Sequence, residues 1–423
     1  MTDRARRPLR LAVYGVLSES AGSSAAAYPV LMAELLERGH AVEFFGNPSY
    51  VRPRTLERYP NYRFHPLHIE AMERLWYRTE ASEFARAAVA QLGIAAYQRE
   101  AIRQIERESE RERFDLILCT DMQPLWSAKL PLVGWPQGPP HTEGAALRSS
   151  ELARLAVRSL GAKQYLAIQG FYAYRMLASR LALGAADTLL CGSRWAGDEW
   201  IRFGAEPVRV RPIPYPVDTA AFSRVPALEP RATTTFLWLG RSVPRKRLDL
   251  FVAAFERLRR RYPNVRARIV GDVLAHPFGR AVLEGRSAIP GLSIEGGVAR
   301  ESVPQLFGDV DVLVQPSQSE NFGFSLAEAL AAGRPVVGGP TNGTFEYAGE
   351  GGFGFSEYSA ESVASAMERA MLAATNLGPE LSRRAREAAS IFAIASVTER
   401  VLAACDDVLA RRAVSGRRRG TVL

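Results

Sequence analysis

A chain of 423 residues with 47% hydrophobic content is too long for one ordinary domain, and no apolar run approaches the roughly 20 residues that span a bilayer. The net charge of +9 comes from arginines dispersed through helical patterns, with one cluster at Arg411, Arg412, Arg417, Arg418 and Arg419. Without an aromatic-interleaved basic stripe this argues against nucleic acid; a solvated, arginine-rich surface is the preferred reading, with anionic substrates or a peripheral contact with an anionic membrane left open. Three scattered cysteines, Cys119, Cys191 and Cys405, argue against a disulfide framework or a zinc site and fit a cytoplasmic protein.

Met1 to Arg10 is basic, but no apolar h-region or cleavage site follows, so no signal peptide is expected. Leu9 to Tyr14 is an apolar strand closed by Gly15. A small-residue loop, Leu17 to Ser24, leads to a helical pattern over Ala25 to Leu36, and Ala41 to Phe45 is a second strand. This βαβ unit, with a permissive turn over a helix N-terminus, has the form of a Rossmann-like fold. It lacks G-x-G-x-x-G and the acidic residue that holds a dinucleotide ribose, which argues against a dehydrogenase. Asn47 to His68 reads as loops with one short strand, and Ile69 to Arg113 as a long helical region with a solvated, charged face. Phe114 to Thr120 and Leu130 to Trp135 are strands, the second running into Pro136-Gln137-Gly138-Pro139-Pro140-His141. Ser150 to Leu183 is helical and mostly apolar, interrupted at Gly161 and Gly170. The preferred reading is a core-facing segment; the alternative lays it on a membrane through Arg154, Arg158, Lys163 and Arg175. Asp187 to Cys191 is a strand and Trp195 to Phe203 a helix. Prolines crowd Arg211 to Pro230, the best linker candidate.

A second α/β pattern begins at Thr235. Phe236 to Leu239 is a strand, Gly240 to Arg247 a basic loop, and Asp249 to Tyr262 an amphipathic helix. Strands follow at Arg266 to Gly271, Leu292 to Glu295, Val310 to Val314 and Pro335 to Gly338. Helices are expected at Val303 to Gly308, Leu326 to Ala332, Ser359 to Ala374 and Pro379 to Leu409. The βα alternation in both halves predicts an α/β protein of two Rossmann-like, doubly wound domains. Residues 1–212 form the first, 213–230 the linker, 231–395 the second domain and 396–423 a C-terminal helix, packing back towards the first domain, with a basic tail.

The chemistry-bearing residues gather at strand ends of the second half. Gly240-Arg241 and Lys246, one of only three lysines, follow one strand; Glu320, Asn321-Phe322-Gly323-Phe324 and Glu328 follow another. Cations with helix N-terminal amides suit a diphosphate, and carboxylates suit vicinal hydroxyls. A ligand carrying both is a nucleotide sugar. Each element has a plainer alternative: Ser325-Leu326-Ala327-Glu328 is a capping-box pattern, Glu320 a surface-loop residue, Arg241 and Lys246 surface charge. Asp309-Val310-Asp311 is a D-x-D, but it straddles a strand start, and no metal is expected.

Three stretches, GRSVPRKRLDLFVAAFERL, ARIVGD and DVDVLVQPSQSENFGFSLAEALAAGRPVV, together resemble the retaining glycosyltransferases of family four, which have the GT-B fold, two such domains facing across a cleft. The family's E-x7-E motif falls on Glu320 and Glu328. LLERGHAVEFF resembles its first helix-to-strand turn and IPYPVDTAAF its linker. Resemblance is dense from about Thr235 to Gly339, patchy over the first half and absent from about Pro48 to Arg113. It implies that Arg241 and Lys246, beside Gly240, bind the donor diphosphate, and that Glu328 holds the ribose. Glu320, with the amides around Asn321 to Phe324, would hold the donor sugar and phosphates. Gly22 and Ser23 would approach from the first domain. The sugar would move to an acceptor hydroxyl with retention and without metal or cofactor. The acceptor, whether saccharide, lipid-linked or small molecule, is left open. So are an epimerase of the same architecture and an inactive nucleotide-sugar-binding protein. Two departures stand out: Arg247 replaces a frequent glycine, and the family's histidine falls by spacing on Gln137, with His141 four residues on, so that the resemblance makes either Gln137 or His141 a catalytic candidate that would contact the donor sugar.

Overall fold

The computed structural model describes residues 7–15, 24–47, 53–69, 83–120, 124–148, 150–286 and 289–419. Two parallel sheets carry the chain. In the first half β1 (Arg10–Tyr14), α1 (Ser24–Glu37), β2 (Ala41–Gly46) and β3 (Tyr62–Pro66) are followed by the long helix α2 (Glu83–Arg111) and β4 (Leu116–Cys119). Then come β5 (Leu132–Gly134), α3 (Pro140–Arg148), α4 (Ser150–Leu160), α5 (Ala162–Leu181), β6 (Thr188–Cys191), α6 (Arg194–Phe203) and β7 (Val210–Pro212). The strands pair in the order β3-β2-β1-β4-β5-β6-β7.

A short helix, α7 (Thr219–Ser223), leads to the second half, which holds β8 (Thr235–Leu239), α8 (Leu248–Arg261), β9 (Arg266–Val270), α9 (Pro277–Leu283) and β10 (Leu292–Glu295). It continues with α10 (Val303–Leu306), β11 (Val312–Gln315), α11 (Phe324–Ala331), β12 (Val336–Gly338), β13 (Gly352–Gly354), α12 (Ala360–Ala389) and α13 (Ile394–Arg419). Its sheet runs β10-β9-β8-β11-β12-β13. The central strands, such as Leu116–Cys119 and Val312–Gln315, are buried on both faces, as helix-covered parallel strands must be. In both sheets the strand order reverses once, between β1 and β4 and between β8 and β11, and each reversal opens a crevice at the carboxyl ends.

The halves meet on an aromatic column. Tyr28 and Trp135 lie edge to face, Trp135 stacks on Tyr215 with centroids 4.9 Å apart, and Tyr215 touches Phe322 and Phe324. Each such pair contributes about 0.5–1.5 kcal/mol beyond its burial. Tyr28 and Tyr215 satisfy their hydroxyls on the carbonyls of Trp135 (2.7 Å) and Pro136 (3.1 Å). Helix α12 kinks at Gly378-Pro379, and α13 returns to the first half, where it packs on α1 and Arg412 Nε bonds Asp187 Oδ1 at 2.8 Å.

Two local expectations change. The Ser150–Leu183 region breaks only at Gly161, whose φ of +83° ends α4, while Gly170 lies inside α5. Helix α5 is also not simply core-facing, because Leu166, Leu177 and Leu181 are exposed. Among the described residues no helix is long and apolar enough to cross a membrane.

Candidate active site

Two loops flank the reversal between β8 and β11. The first leaves β8 at Gly240 (φ +151°) and passes Gly271 (φ +142°), where a Cβ would lie 2.1 Å from the Gly240 carbonyl oxygen. Only glycine at Gly271 lets the ends of β8 and β9 approach this closely. The loop makes a single tight turn at Pro244–Lys246 and enters α8 through Arg247, a left-handed residue (φ 50°, ψ 45°). The second loop leaves β11 at Gln315 and reaches α11 through Ser319, also left-handed (φ 61°). It is stitched on both sides. Gln318 N–H donates to Arg245 O (2.7 Å), Glu320 N–H to Thr341 O (2.9 Å), and Gly343 N–H to Glu320 O (2.8 Å). Two non-glycine residues at positive φ in adjoining loops are strain held by their surroundings, a pattern that concentrates at functional sites.

The charges follow from this backbone. The Glu320 carboxylate is buried and accepts from Lys246 Nζ at 2.5 Å and Arg245 Nη1 at 2.7 Å. Burial alone would push the carboxyl up, but Arg245 and Lys246 outweigh it and hold it below its ordinary value. Burial lowers the Lys246 ammonium despite the pull of Glu320, and Arg245 and Arg241 add to the lowering. Arg241 itself is exposed and makes no ion pair among the described residues. Glu328, on the first turns of α11, is buried and faces Arg300 at 3.7 Å. Burial pushes its carboxyl up to about 7, against the opposing pull of Arg300 and Lys246. The capping-box alternative is not what forms: Gly323 is the N-cap with no side-chain bond, and Ser325 Oγ donates to Gln315 Oε1 at 2.5 Å.

Around these charges lie buried polar atoms with no hydrogen-bond partner: Gln315 Nε2, Ser317 Oγ, Ser242 Oγ, Asn321 Oδ1 and both ends of the Asn342 amide. Such atoms are few in folded proteins, and here they share the loops after β8, β11 and β12. The N-terminal amides of α11 add donors at the positive end of the helix dipole. Fixed cations, free donors and a nearly neutral buried carboxyl are what a ligand with phosphates and hydroxyls would complete.

Family models were found for both halves, one described as Glycosyltransferase Family 4 over residues 30–221 and one as Glycosyl transferases group 1 over residues 233–372. The chain belongs to the family-four glycosyltransferases. Among curated proteins it is 29% identical to a D-inositol 3-phosphate glycosyltransferase of Streptomyces griseus over 58% of each chain. It is also 29% identical to a D-inositol 3-phosphate glycosyltransferase of Saccharomonospora viridis, over 54% of this chain and 57% of that one. The matches thus span little more than half of these relatives. The GT-B fold is shared with the Anabaena protein HepE, solved with UDP-glucose, at 15% identity and a TM-score of 0.65 over 94% of this chain and all of that one. The catalytic domain of starch synthase IV from Arabidopsis thaliana, bound to ADP and acarbose, gives 11% and 0.67 over 96% of this chain and all of that one.

The structure brings Gly240, Arg241, Lys246, Glu320 and Glu328 to one end of the second sheet. Phe322 and Phe324 bury their rings against Tyr215, so those side chains hold the two halves together and only their backbone faces outward chemistry. The Gly323 N–H is already engaged by Thr344 Oγ1 (2.9 Å). Asn321 bridges the halves: its Nδ2 donates to Gln137 O (2.5 Å), and its carbonyl accepts from Ser193 Oγ (2.9 Å). Gln137 is exposed at the tip of the β5 loop. His141 instead sits on α3 with Nε2 2.8 Å from Glu199 Oε2 and its ring stacked on Phe203, so its partners lie on α6 rather than among the loops after β8 and β11. Gly22 and Ser23 lie outside the described residues. Sequence reasoning missed Arg245, Arg300 and Asn342. Arg245 was hidden by the abundance of arginine, and Arg300 and Asn342 stand on loops with no motif of their own. Arg247 lies buried in its left-handed conformation, paired with Asp249 Oδ2 (3.0 Å) and, across from the first half, Glu151 Oε2 (3.1 Å).

Proposed function

We propose that this chain transfers a sugar from a nucleotide-sugar donor to an acceptor hydroxyl, with retention of anomeric configuration and without a metal. The observation that carries this is the cluster of Lys246 and Arg245 on the buried Glu320 carboxylate, set among unpartnered polar atoms at the strand reversal of the second sheet. Arg241, Lys246 and the first amides of α11 receive the diphosphate. Glu328, ionised once a donor is bound, accepts from the ribose hydroxyls, and Glu320 shares its second oxygen with the sugar. The bond from the anomeric carbon to the diphosphate oxygen breaks. The acceptor oxygen bonds to that carbon on the same face, and its proton passes to the departing phosphate. The fixed cations stabilise the charge that develops on the leaving group; losing one such contact typically costs a few kcal/mol. HepE and starch synthase IV, solved with UDP-glucose and with ADP, support a nucleoside-diphosphate donor.

The experiment is a donor panel of UDP-, GDP-, ADP- and dTDP-sugars, read by thermal shift and by release of nucleoside diphosphate with and without chelator. Binding of one class, chelator-resistant turnover with a suitable acceptor, and a product anomer matching the donor are expected. Binding with no release under any condition would leave only a nucleotide-sugar-binding protein, and loss of turnover on chelation would remove the metal-free step.

A further inference from the structure

Helix α5 (Ala162–Leu181) is apolar on both sides. One side faces the protein: Tyr165 donates to the Leu147 carbonyl (3.2 Å), a Cβ at Gly144 would lie 3.0 Å from Tyr172 Cβ, and Ser179 is buried. The opposite side is a stripe at helical spacing, Leu166, Gly170, Ala173, Tyr174, Leu177 and Leu181, and it is open. Leu166 is 67% exposed, Leu177 62% and Leu181 81%. An open apolar stripe of this length on a surface helix marks an interaction site. Val157, exposed on the neighbouring helix α4, extends the same chemistry.

The charges on α4 and α5 are mostly of one sign. Residues 162–181 contain no aspartate or glutamate; Lys163 is exposed on this helix, while the Arg180 guanidinium lies over the Phe203 ring and donates to the Phe203 carbonyl. On α4, Arg154 and Arg158 are exposed, Arg158 within 3.9 Å of the exposed Glu284, while its one acidic residue, Glu151, faces Arg247 at 3.1 Å. A second copy of the chain docking here by two-fold symmetry would set this net positive face against itself. Exposed leucines, a tyrosine at the margin and flanking Lys/Arg are instead the composition of a helix lying in a membrane interface.

We propose that the outer face of α5, with the basic residues of α4, docks on an anionic lipid surface. Twenty residues at about 1.5 Å each give a rod of about 30 Å, long enough to lie flat with its leucines in the acyl boundary. Helix α4 also packs against α9 and against the Pro244–Lys246 turn of the donor loop. Helix α4 thus links the docking helix to the donor loop, which would bring an acceptor carried in the membrane towards the site. Docking itself does not depend on the proposed transfer.

The test is co-flotation of the full chain, without donor, with vesicles of phosphatidylcholine alone and of phosphatidylcholine mixed with phosphatidylglycerol. Binding to the mixed vesicles, weakened by salt, is expected, with little binding to the neutral ones. The double substitution Leu177→Glu and Leu181→Glu should weaken it at least about tenfold, since it removes two buried leucines from the interface. Unchanged donor-induced thermal shift in that variant shows that the fold is intact. Equal binding to neutral vesicles, unaltered binding of the variant, or no vesicle binding together with a concentration-dependent dimer that the variant abolishes would each overturn the proposal.

Discussion

The substitution Glu328→Gln separates stability from function. The Glu328 carboxyl is pushed from 4.5 to about 7 by burial. A shift of that size corresponds to about 3 kcal/mol of unfavourable ionisation in the folded state. The sign follows from linkage: the folded chain holds this proton more tightly than the unfolded one. Its contribution is therefore fully present below about 4.5 and is lost as pH rises through about 7. Glutamine cannot ionise. Relative to the wild type, the variant should gain up to about 3 kcal/mol at about pH 8 and almost nothing at about pH 4. Donor affinity should move the other way. The ionised carboxylate is the better acceptor for ribose hydroxyls, so wild-type affinity should rise as pH passes about 7, whereas the variant should bind at least about tenfold more weakly at about pH 8 and show no such rise. Denaturant unfolding and calorimetric donor titration across this range read both. A stability difference that does not change with pH would show that the carboxyl ionises without penalty. Undiminished donor affinity in the variant would remove Glu328 from the site.

Lys246→Met should lower turnover by about a hundredfold or more, because it removes a fixed cation from the leaving group, as checked by steady-state kinetics with the preferred donor. Glu320→Gln leaves the half-buried cations of Lys246 and Arg245 together without their shared carboxylate and should cost about 2–3 kcal/mol in denaturant unfolding. His141→Phe preserves the stack on Phe203 and loses the contact with Glu199; it should reduce stability by about 1–2 kcal/mol yet keep the rate constant within about threefold, and a collapse in rate would return His141 to the chemistry.

What could be read from the residues was whatever a single stretch of chain decides about itself. Alternating apolar runs and helical periods gave both parallel sheets, and the order strand, polar loop, helix placed Gln315 to Glu328 at a carboxyl end. What stayed hidden depends on two distant stretches meeting. The 2.5 Å contact between Lys246 and Glu320 joins positions 74 residues apart, and nothing in either segment names the other. Gln137 and His141 lie four residues apart, but the helix starting at Pro140 carries the histidine onto α6 and leaves the glutamine at the loop tip. Arg247 makes the same point in reverse. A left-handed residue before α8 favours glycine locally, by about 1 kcal/mol. Arginine is held there by Asp249 on its own helix, by Gln318 on the β11 loop (3.4 Å) and by Glu151 on α4. If those contacts are what hold the strained turn, Arg247→Gly should relieve the backbone and still loosen the donor loop. It should then raise KM for the donor more than it lowers kcat, whereas Glu151→Gln, whose carboxylate is more than half exposed, should change stability by less than about 1 kcal/mol. A variant with unaltered KM would show that the β11 loop alone fixes Lys246, and the polar contacts of Arg247 would then be only a consequence of burying it.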